Sequence, residues 1–241
     1  MAWKWYDSRV IEIDDLTPNT KSFWLQIDAV ENLDFRPGQF ITLDLPIHEK
    51  RHKRWRSYSI ANIPTDDGLI ELCIVNLEHG AASQYLFNEI RIGDPVRFKG
   101  PDGAFTWNAA MNGKEIIMIC TGTGIAPFRS MLLDLKKKGP LKQPIHLIFG
   151  TRRQEDILYR DEFAQMALDD PNFKYTIALS REDWPGVKGY VHQVYLKDYA
   201  EKDSERIFLL CGWSMMIDEG VENLLLKLHY DKSQIRYELY G

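Results

Sequence analysis

Ile116-Ile117-Met118-Ile119-Cys120-Thr121-Gly122-Thr123-Gly124-Ile125-Ala126-Pro127 begins with five apolar residues, passes through two glycines separated by a threonine, and meets a proline. A continuous apolar run of this length suits a strand buried on both faces, as in parallel sheets. Proline suits the first turn of a helix. The stretch therefore predicts strand, tight turn and helix in succession, and such a turn aims backbone amides at a pyrophosphate. It departs from the usual dinucleotide fingerprint, because Pro127 occupies the third glycine position and no acidic residue closes the next strand.

Toward the C-terminus the same rhythm continues. Apolar runs at 145–149, 175–179, 207–211 and 235–239 predict further strands, and the segments 127–137, 161–168, 191–199 and 215–228 predict the helices among them. The expected architecture is a doubly wound α/β domain with a parallel sheet, which receives ligands at the carboxyl ends of its strands. Toward the N-terminus, short strands at 10–13, 23–27, 40–45, 58–60, 69–75 and 96–99 alternate with Gly- and Pro-containing turns such as Arg36-Pro37-Gly38 and Gly93-Asp94-Pro95. This predicts an antiparallel β-barrel, with one helix near 83–90 covering an end. The rhythm changes at Asn112-Gly113, dividing the chain into a barrel domain, 1–110, and an α/β domain, 111–241.

Composition narrows the function. Hydrophobic residues make up 44% and charged residues 27% of the 241, as in an ordinary globular protein. No apolar run approaches the roughly 20 residues of a membrane span, and the start of the chain lacks the apolar block of a signal peptide. A cytoplasmic protein without a membrane partner is expected. Cys73, Cys120 and Cys211 are too scattered for a zinc site or an iron–sulfur cluster, so neither a metal nor a cluster is expected. The net charge of −5 argues against a nucleic-acid binder. The run Lys50-Arg51-His52-Lys53-Arg54-Trp55-Arg56 is a local basic exception, read as a docking patch for an acidic electron carrier.

In the barrel half, Arg56-Ser57-Tyr58-Ser59 combines a guanidinium able to grip a pyrophosphate, a ring able to lie against a flat cofactor, and hydroxyls able to reach a ring nitrogen. Gly80-Ala81-Ala82-Ser83 places small residues ahead of a helix, leaving amides free for a phosphate. In the α/β half, the second and third strands end in Gly150-Thr151-Arg152-Arg153 and Ser180-Arg181, followed by Lys188-Gly189-Tyr190. Cations and hydroxyls stand where an NAD site commonly has a carboxylate, which favours the 2′-phosphate of NADPH over NADH. Surface pairing of Arg181 with Glu182 or Asp183 is the competing reading.

Taken in order, Arg56-Ser57-Tyr58-Ser59, Thr121-Gly122-Thr123-Gly124, Cys211-Gly212 and the tail Glu238-Leu239-Tyr240 resemble the ferredoxin–NADP reductase family over nearly the whole chain. The resemblance implies FAD on the barrel, a nicotinamide coenzyme on the α/β domain, and hydride transfer between them. It implies that Arg56 and Ser83 hold the FAD pyrophosphate, that Tyr58 flanks the isoalloxazine, and that Ser59 approaches its reactive nitrogen. Cys73, Ile74 and Val75 would line the ribityl and adenosine portion. Cys211 would lie beside the nicotinamide carbon, Glu238 near the flavin, and Tyr240 over its ring. Two departures stand out: Trp213 where relatives often have Pro, and Gly241 beyond the terminal aromatic. The implied acceptor is a separate ferredoxin or flavodoxin. The alternatives are an NAD(P)H:flavin reductase that releases reduced flavin, the reductase component of a multicomponent oxygenase, and a non-catalytic electron-transfer subunit.

Overall fold

The computed structural model describes residues 4–28 and 33–240, and Gly241 lies outside them. The chain forms two compact units, 1–106 with 126–134, and 107–125 with 135–241.

In the first unit, β1 (Trp5–Thr17), β2 (Thr20–Ile27), β3 (Phe40–Asp44), β4 (Trp55–Ser59), β5 (Leu69–Val75) and β6 (Pro95–Asp102) form one antiparallel sheet in the order β4-β3-β6-β1-β2-β5. Its ends meet. Ile60, just past β4, bridges Leu72 of β5, and the Ala61 amide donates to the Glu71 carbonyl at 2.9 Å. Closure of this kind removes free edges. Alternation sends Phe23, Leu25 and Ile27 of β2 and Ile70, Leu72 and Ile74 of β5 into one core with Ile41, Leu43 and Phe98. Each such side chain contributes about 1.5–3 kcal/mol by leaving water. Helix α1 (Ala81–Asn88) adds Ala82 and Leu86 to that core.

Strands β1 and β4 start earlier than the hydrophobic pattern suggests. β1 begins at Trp5 rather than Val10, because Asp7 and Arg9 are polar and its pairing with β2 shifts register between Val10 and Glu12 and again between Asp15 and Thr17. β4 begins at Trp55 because the last residues of the basic run are strand, paired with Asp44 and Leu43.

Helix α2 (Ala126–Lys137) carries Pro127 in its first turn, as the sequence indicates. Its residues 126–134 group with the barrel. There the Arg129 guanidinium meets the Glu71 carboxylate at 2.5 Å and the Ala61 carbonyl at 3.0 Å, while the Ser130 hydroxyl donates to the Asn62 carbonyl at 2.6 Å.

In the second unit, β7 (Glu115–Thr121), β8 (Ile145–Thr151), β9 (Phe173–Leu179), β10 (Val187–Lys188), β11 (Arg206–Trp213) and β12 (Ile235–Tyr240) form a wholly parallel sheet in the order β10-β9-β8-β7-β11-β12. Helices α3 (Arg160–Asp169), α4 (Val191–Asp198) and α5 (Ser214–Glu222) connect the strands. The segment expected as one helix over 215–228 ends as α5 at Glu222 and continues as a π turn, Asn223–Lys227. The wider turn turns Asn223 inward, its amide donating to the Tyr195 hydroxyl at 2.9 Å. Strand order reverses between β7 and β11. That reversal is the switch point at which a doubly wound sheet opens a ligand crevice at its carboxyl edge.

Candidate functional site

Both strands flanking the switch point end in glycine-dependent backbone. After Thr121, Gly122 takes a positive φ of 52°, and residues Gly122–Ile125 wind a short 3-10 turn into α2. A Cβ on Gly124 would run into the carbonyl oxygen of Cys211 and stand 2.6 Å from both the Cys211 carbonyl carbon and Gly212 Cα. Gly212 has φ 137°, and a Cβ there would come within 2.7 Å of Thr121 Oγ1 and 2.9 Å of its carbonyl oxygen. The turn after β7 and the end of β11 thus pack backbone against backbone, which only glycine permits.

Beside this pair lie the residues singled out for hydride chemistry in this unit. Parallel register places Cys211 level with Glu238, Gly212 level with Leu239 and Trp213 level with Tyr240. Burial pushes the Cys211 thiol well up, the negative charge of Glu238 adds to that, and the Tyr240 side chain and Gly212 amide pull the other way. Cys211 is therefore a protonated thiol, a compact wall rather than a nucleophile. Cys120, its neighbour in register on β7, is likewise pushed up by burial.

On the barrel, alternation along β4 turns Arg56 and Tyr58 to one face and Trp55, Ser57 and Ser59 to the other. The Arg56 guanidinium is exposed, fixed by the carbonyls of Lys53 at 3.0 Å and Trp55 at 2.8 Å, and pairs with no carboxylate among the described residues. Tyr58 packs against the barrel core; burial pushes its phenol up to about 12, with Arg56 opposing, so it stays a hydroxyl. Ser57 shares a hydrogen bond with Thr42 at 3.0 Å, and Ser59 is buried. Gly80 precedes the first turn of α1, where Ala81 and Ala82 follow. The Ser83 hydroxyl accepts the Leu77 amide at 3.0 Å and lies 3.1 Å from the Leu77 carbonyl and 3.0 Å from the Gly80 carbonyl, tying the loop to the helix. Ile74 turns into the barrel core, while Cys73 and Val75 occupy the other face of β5 with Glu71.

The basic run divides by partner. Arg54 pairs with Asp44 at 2.8 Å. The Arg51 guanidinium lies 5.2 Å from the Trp5 ring centre and 5.9 Å from that of Trp55, and Lys99 caps Trp55 at 4.0 Å. Arg51 and Lys99 thus lie over aromatic faces, which orders them.

At the far side of the parallel sheet, the Ser180 and Arg181 amides donate to the Thr151 and Arg152 carbonyls, each at 3.0 Å, bringing the ends of β8 and β9 together. Arg152 and Arg181 are exposed. The competing carboxylates pair elsewhere: Glu182 accepts the Gln154 amide at 2.7 Å, and Asp183 takes the Lys188 ammonium. Tyr190 is exposed just before α4. Among the described residues no group of three or more His, Cys, Asp or Glu is placed to hold a metal, and no helix is long and apolar enough to cross a membrane.

Residues 7–107 match the family described as "Oxidoreductase FAD-binding domain", and residues 118–221 match "Oxidoreductase NAD-binding domain". The barrel and the parallel sheet each carry one of these matches. The chain belongs to the ferredoxin–NADP reductase family. It is 29% identical over 242 residues to ferredoxin–NADP reductase B of Sorangium cellulosum, covering 98% of this chain and 97% of that one. It is 34% identical over 224 residues to the phenol hydroxylase P5 protein of Acinetobacter pittii, covering 91% of this chain but only 61% of the relative's length. The crystal structure of the Amycolatopsis cytochrome P450 reductase GcoB superposes with a TM-score of 0.87 at 25% identity, over 98% of this chain and 70% of that one.

Both family cofactors fit the residues present. The positive φ of Gly122, with nothing within 4 Å of where its Cβ would stand, suits close approach of a dinucleotide pyrophosphate. A fixed, exposed guanidinium at Arg56 suits the FAD pyrophosphate. Two pairings escape a linear reading. The Glu71–Arg129 pair joins residues 58 apart with no local pattern to signal it, and the lateral pairing of Cys211 with Glu238 depends on register.

Proposed function

We propose that this chain is an NAD(P)H-dependent flavoprotein reductase of the cytoplasm. It holds FAD on the barrel domain, 1–110, binds NADPH in preference to NADH on the α/β domain, 111–241, and passes electrons to a separate acidic carrier such as ferredoxin or flavodoxin. The observation that carries this reading is the grouping of Cys211, Glu238 and Tyr240 at the carboxyl edge of β11 and β12, beside the Gly122–Gly124 turn. Ferredoxin–NADP reductase B, a relative matched over almost the full length of both chains, supports the choice of acceptor.

Bound FAD would supply the conversion of a two-electron hydride into single electrons. The protein would supply placement. Arg56 and the amides of Ala81, Ala82 and Ser83, which follow Gly80 (its own amide donates to the Leu77 carbonyl at 2.9 Å), would hold the FAD pyrophosphate, with Cys73 and Val75 and the backbone at Ile74 lining the rest. Tyr58 and Ser59, with Ser57 bracing the strand through Thr42, would orient the ring. Thr121, Gly122, Thr123 and Gly124 would receive the coenzyme pyrophosphate, and Gly212 would keep the end of β11 close to that turn. Arg152, Ser180, Arg181, Lys188 and Tyr190 would meet its 2′-phosphate, Lys188 exchanging Asp183 for it. A protonated Cys211 thiol adds no charge next to the nicotinamide carbon, while Glu238 places a carboxylate at the same level, favouring the cationic oxidised ring over the neutral reduced one. Alignment then dominates the rate, since hydride needs no proton donor.

The test is anaerobic stopped-flow reduction of the purified holoprotein by NADPH and by NADH, followed by electron transfer to ferredoxin and flavodoxin. Faster reduction by NADPH and reoxidation by either carrier is expected; a protein without bound flavin, or one reduced by neither coenzyme, refutes the reading. A second reading, the reductase component of an oxygenase, is favoured by the 34% identity to the phenol hydroxylase P5 protein. Reoxidation by an oxygenase component, with ferredoxin and flavodoxin inert, would select it.

A further inference from the structure

Trp213 stands at the junction of β11 and α5. It occupies the N-cap position of α5, where Ser, Thr, Asp or Asn would satisfy an open amide, and its side chain makes no capping hydrogen bond. Its ring is 62% exposed. The exposed indole leaves its π face open to a ligand. Its backbone is held: the amide reaches Thr121 Oγ1 at 3.5 Å, the preceding Gly212 is locked against Thr121, and Trp213 stands level with Tyr240 in the parallel register. The backbone that carries this broad π face is thus fixed at the carboxyl edge of β11, two residues past Cys211 and at the switch point.

We infer that Trp213 is a binding residue for the nicotinamide ring and that it favours the oxidised, pyridinium form, an inference that rests on the nicotinamide-coenzyme reading above. The chemistry is that of a cation against an aromatic face. Indole is the best such face among the side chains, and it attracts a ring carrying positive charge while treating a neutral dihydro ring only as an apolar plate. Trp213 would then hold the product of hydride donation more tightly than the donor and so bias the direction of electron flow.

The experiment is calorimetric titration of the FAD-loaded wild type, Trp213→Leu and Trp213→Phe with three probes. They are the preferred oxidised coenzyme, its 1,4,5,6-tetrahydro analogue, whose ring is uncharged and cannot give hydride, and the matching ADP-ribose fragment without nicotinamide. Trp213→Leu should weaken the oxidised coenzyme by roughly 5- to 30-fold and the tetrahydro analogue clearly less. The fragment should stay within about twofold, and Trp213→Phe should recover part of the oxidised affinity, since a smaller π face remains. Equal weakening of all three probes, or none, overturns the inference while leaving the coenzyme site standing. A wild type that binds neither coenzyme nor fragment overturns the underlying reading together with it.

Discussion

Gly124→Ala probes the packing on which the nucleotide site is built. The added methyl would collide with the Cys211 carbonyl oxygen and stand 2.6 Å from the Cys211 carbonyl carbon and Gly212 Cα. Ordinary carbon contacts lie at about 3.5–4.0 Å, so one backbone must retreat by about 1 Å. No rotamer change can absorb this, because the three nearest atoms are all main chain. Overpacking of this kind costs typically 1–3 kcal/mol. For a chain of this size that corresponds to a Tm lower by roughly 2–4 °C per kcal/mol. A displacement of about 1 Å at a reacting centre can also cost on the order of 100-fold in rate.

The matched control is Gly113→Ala, where φ is 79° and nothing lies within 4 Å of the new methyl. It carries only the backbone strain of a left-handed residue, about 1–2 kcal/mol, away from the switch point. Thermal unfolding and calorimetric titration with the coenzyme separate the two. Both variants should lose Tm, but only Gly124→Ala should lose coenzyme affinity, by about tenfold or more if the turn moves as far as the clash demands. Wild-type affinity in Gly124→Ala, or equal loss in the control, would refute the claim that contact between the β7 turn and β11 shapes the site.

Arg56→Ala should strip FAD from the purified protein while leaving the far-ultraviolet circular dichroism unchanged, since the guanidinium is exposed and bonded only to the carbonyls of Lys53 and Trp55; full retention of flavin would remove it from the FAD site. Arg181→Ala should weaken NADPH by on the order of 1.5–3 kcal/mol with NADH little changed, and equal effects on the two coenzymes would make it structural. His146 supplies a pH prediction. Burial, with the Lys174 charge added and Asp198 opposing, lowers its pKa from 6.5 to about 3, and its ring bonds the Tyr199 hydroxyl at 2.6 Å and the Thr176 hydroxyl at 2.8 Å. Between those values the unfolded chain takes up a proton that the folded one refuses, so stability is full above about pH 6.5 and declines toward pH 3 at up to about 1.4 kcal/mol per unit. Denaturant unfolding of the wild type and His146→Gln at pH 7 and pH 5 reads this directly: the variant should lose less between the two, and parallel losses would assign the acid sensitivity to other groups.

The parts of the molecule legible in its sequence are those whose signal is local. The run 116–120 is apolar because β7 is covered on both faces, and the Thr-Gly-Thr-Gly-Ile-Ala-Pro sequence that follows dictates a turn and a helix without help from distant residues. β10, two residues long, carries no periodic signal, and β1 hides its length behind two register shifts. Side-chain partners were less legible still. Lys188 has the charge for a 2′-phosphate, yet five residues earlier Asp183 already holds it. Ser83 has the position for a phosphate, yet its hydroxyl closes its own loop.

The two glycines of the switch point show where composition and geometry meet. A Gly-rich turn in a sequence is equally consistent with a sharp bend and with a close approach, and the two demand different things of the residue. Gly122 is of the first kind: its φ is positive and no atom lies within 4 Å of where a Cβ would be. Gly124 is of the second, since it has no positive φ but is walled by the end of a strand 87 residues further on. Alanine at position 122 would therefore carry a conformational cost that the turn bears locally, whereas at position 124 it would be transmitted through Cys211 and Gly212 to the level of Glu238 and Trp213. The same motif thus joins a locally coded bend to a contact that only the assembled sheet creates, and it is the second that ties the turn after β7 to the residues proposed for hydride transfer.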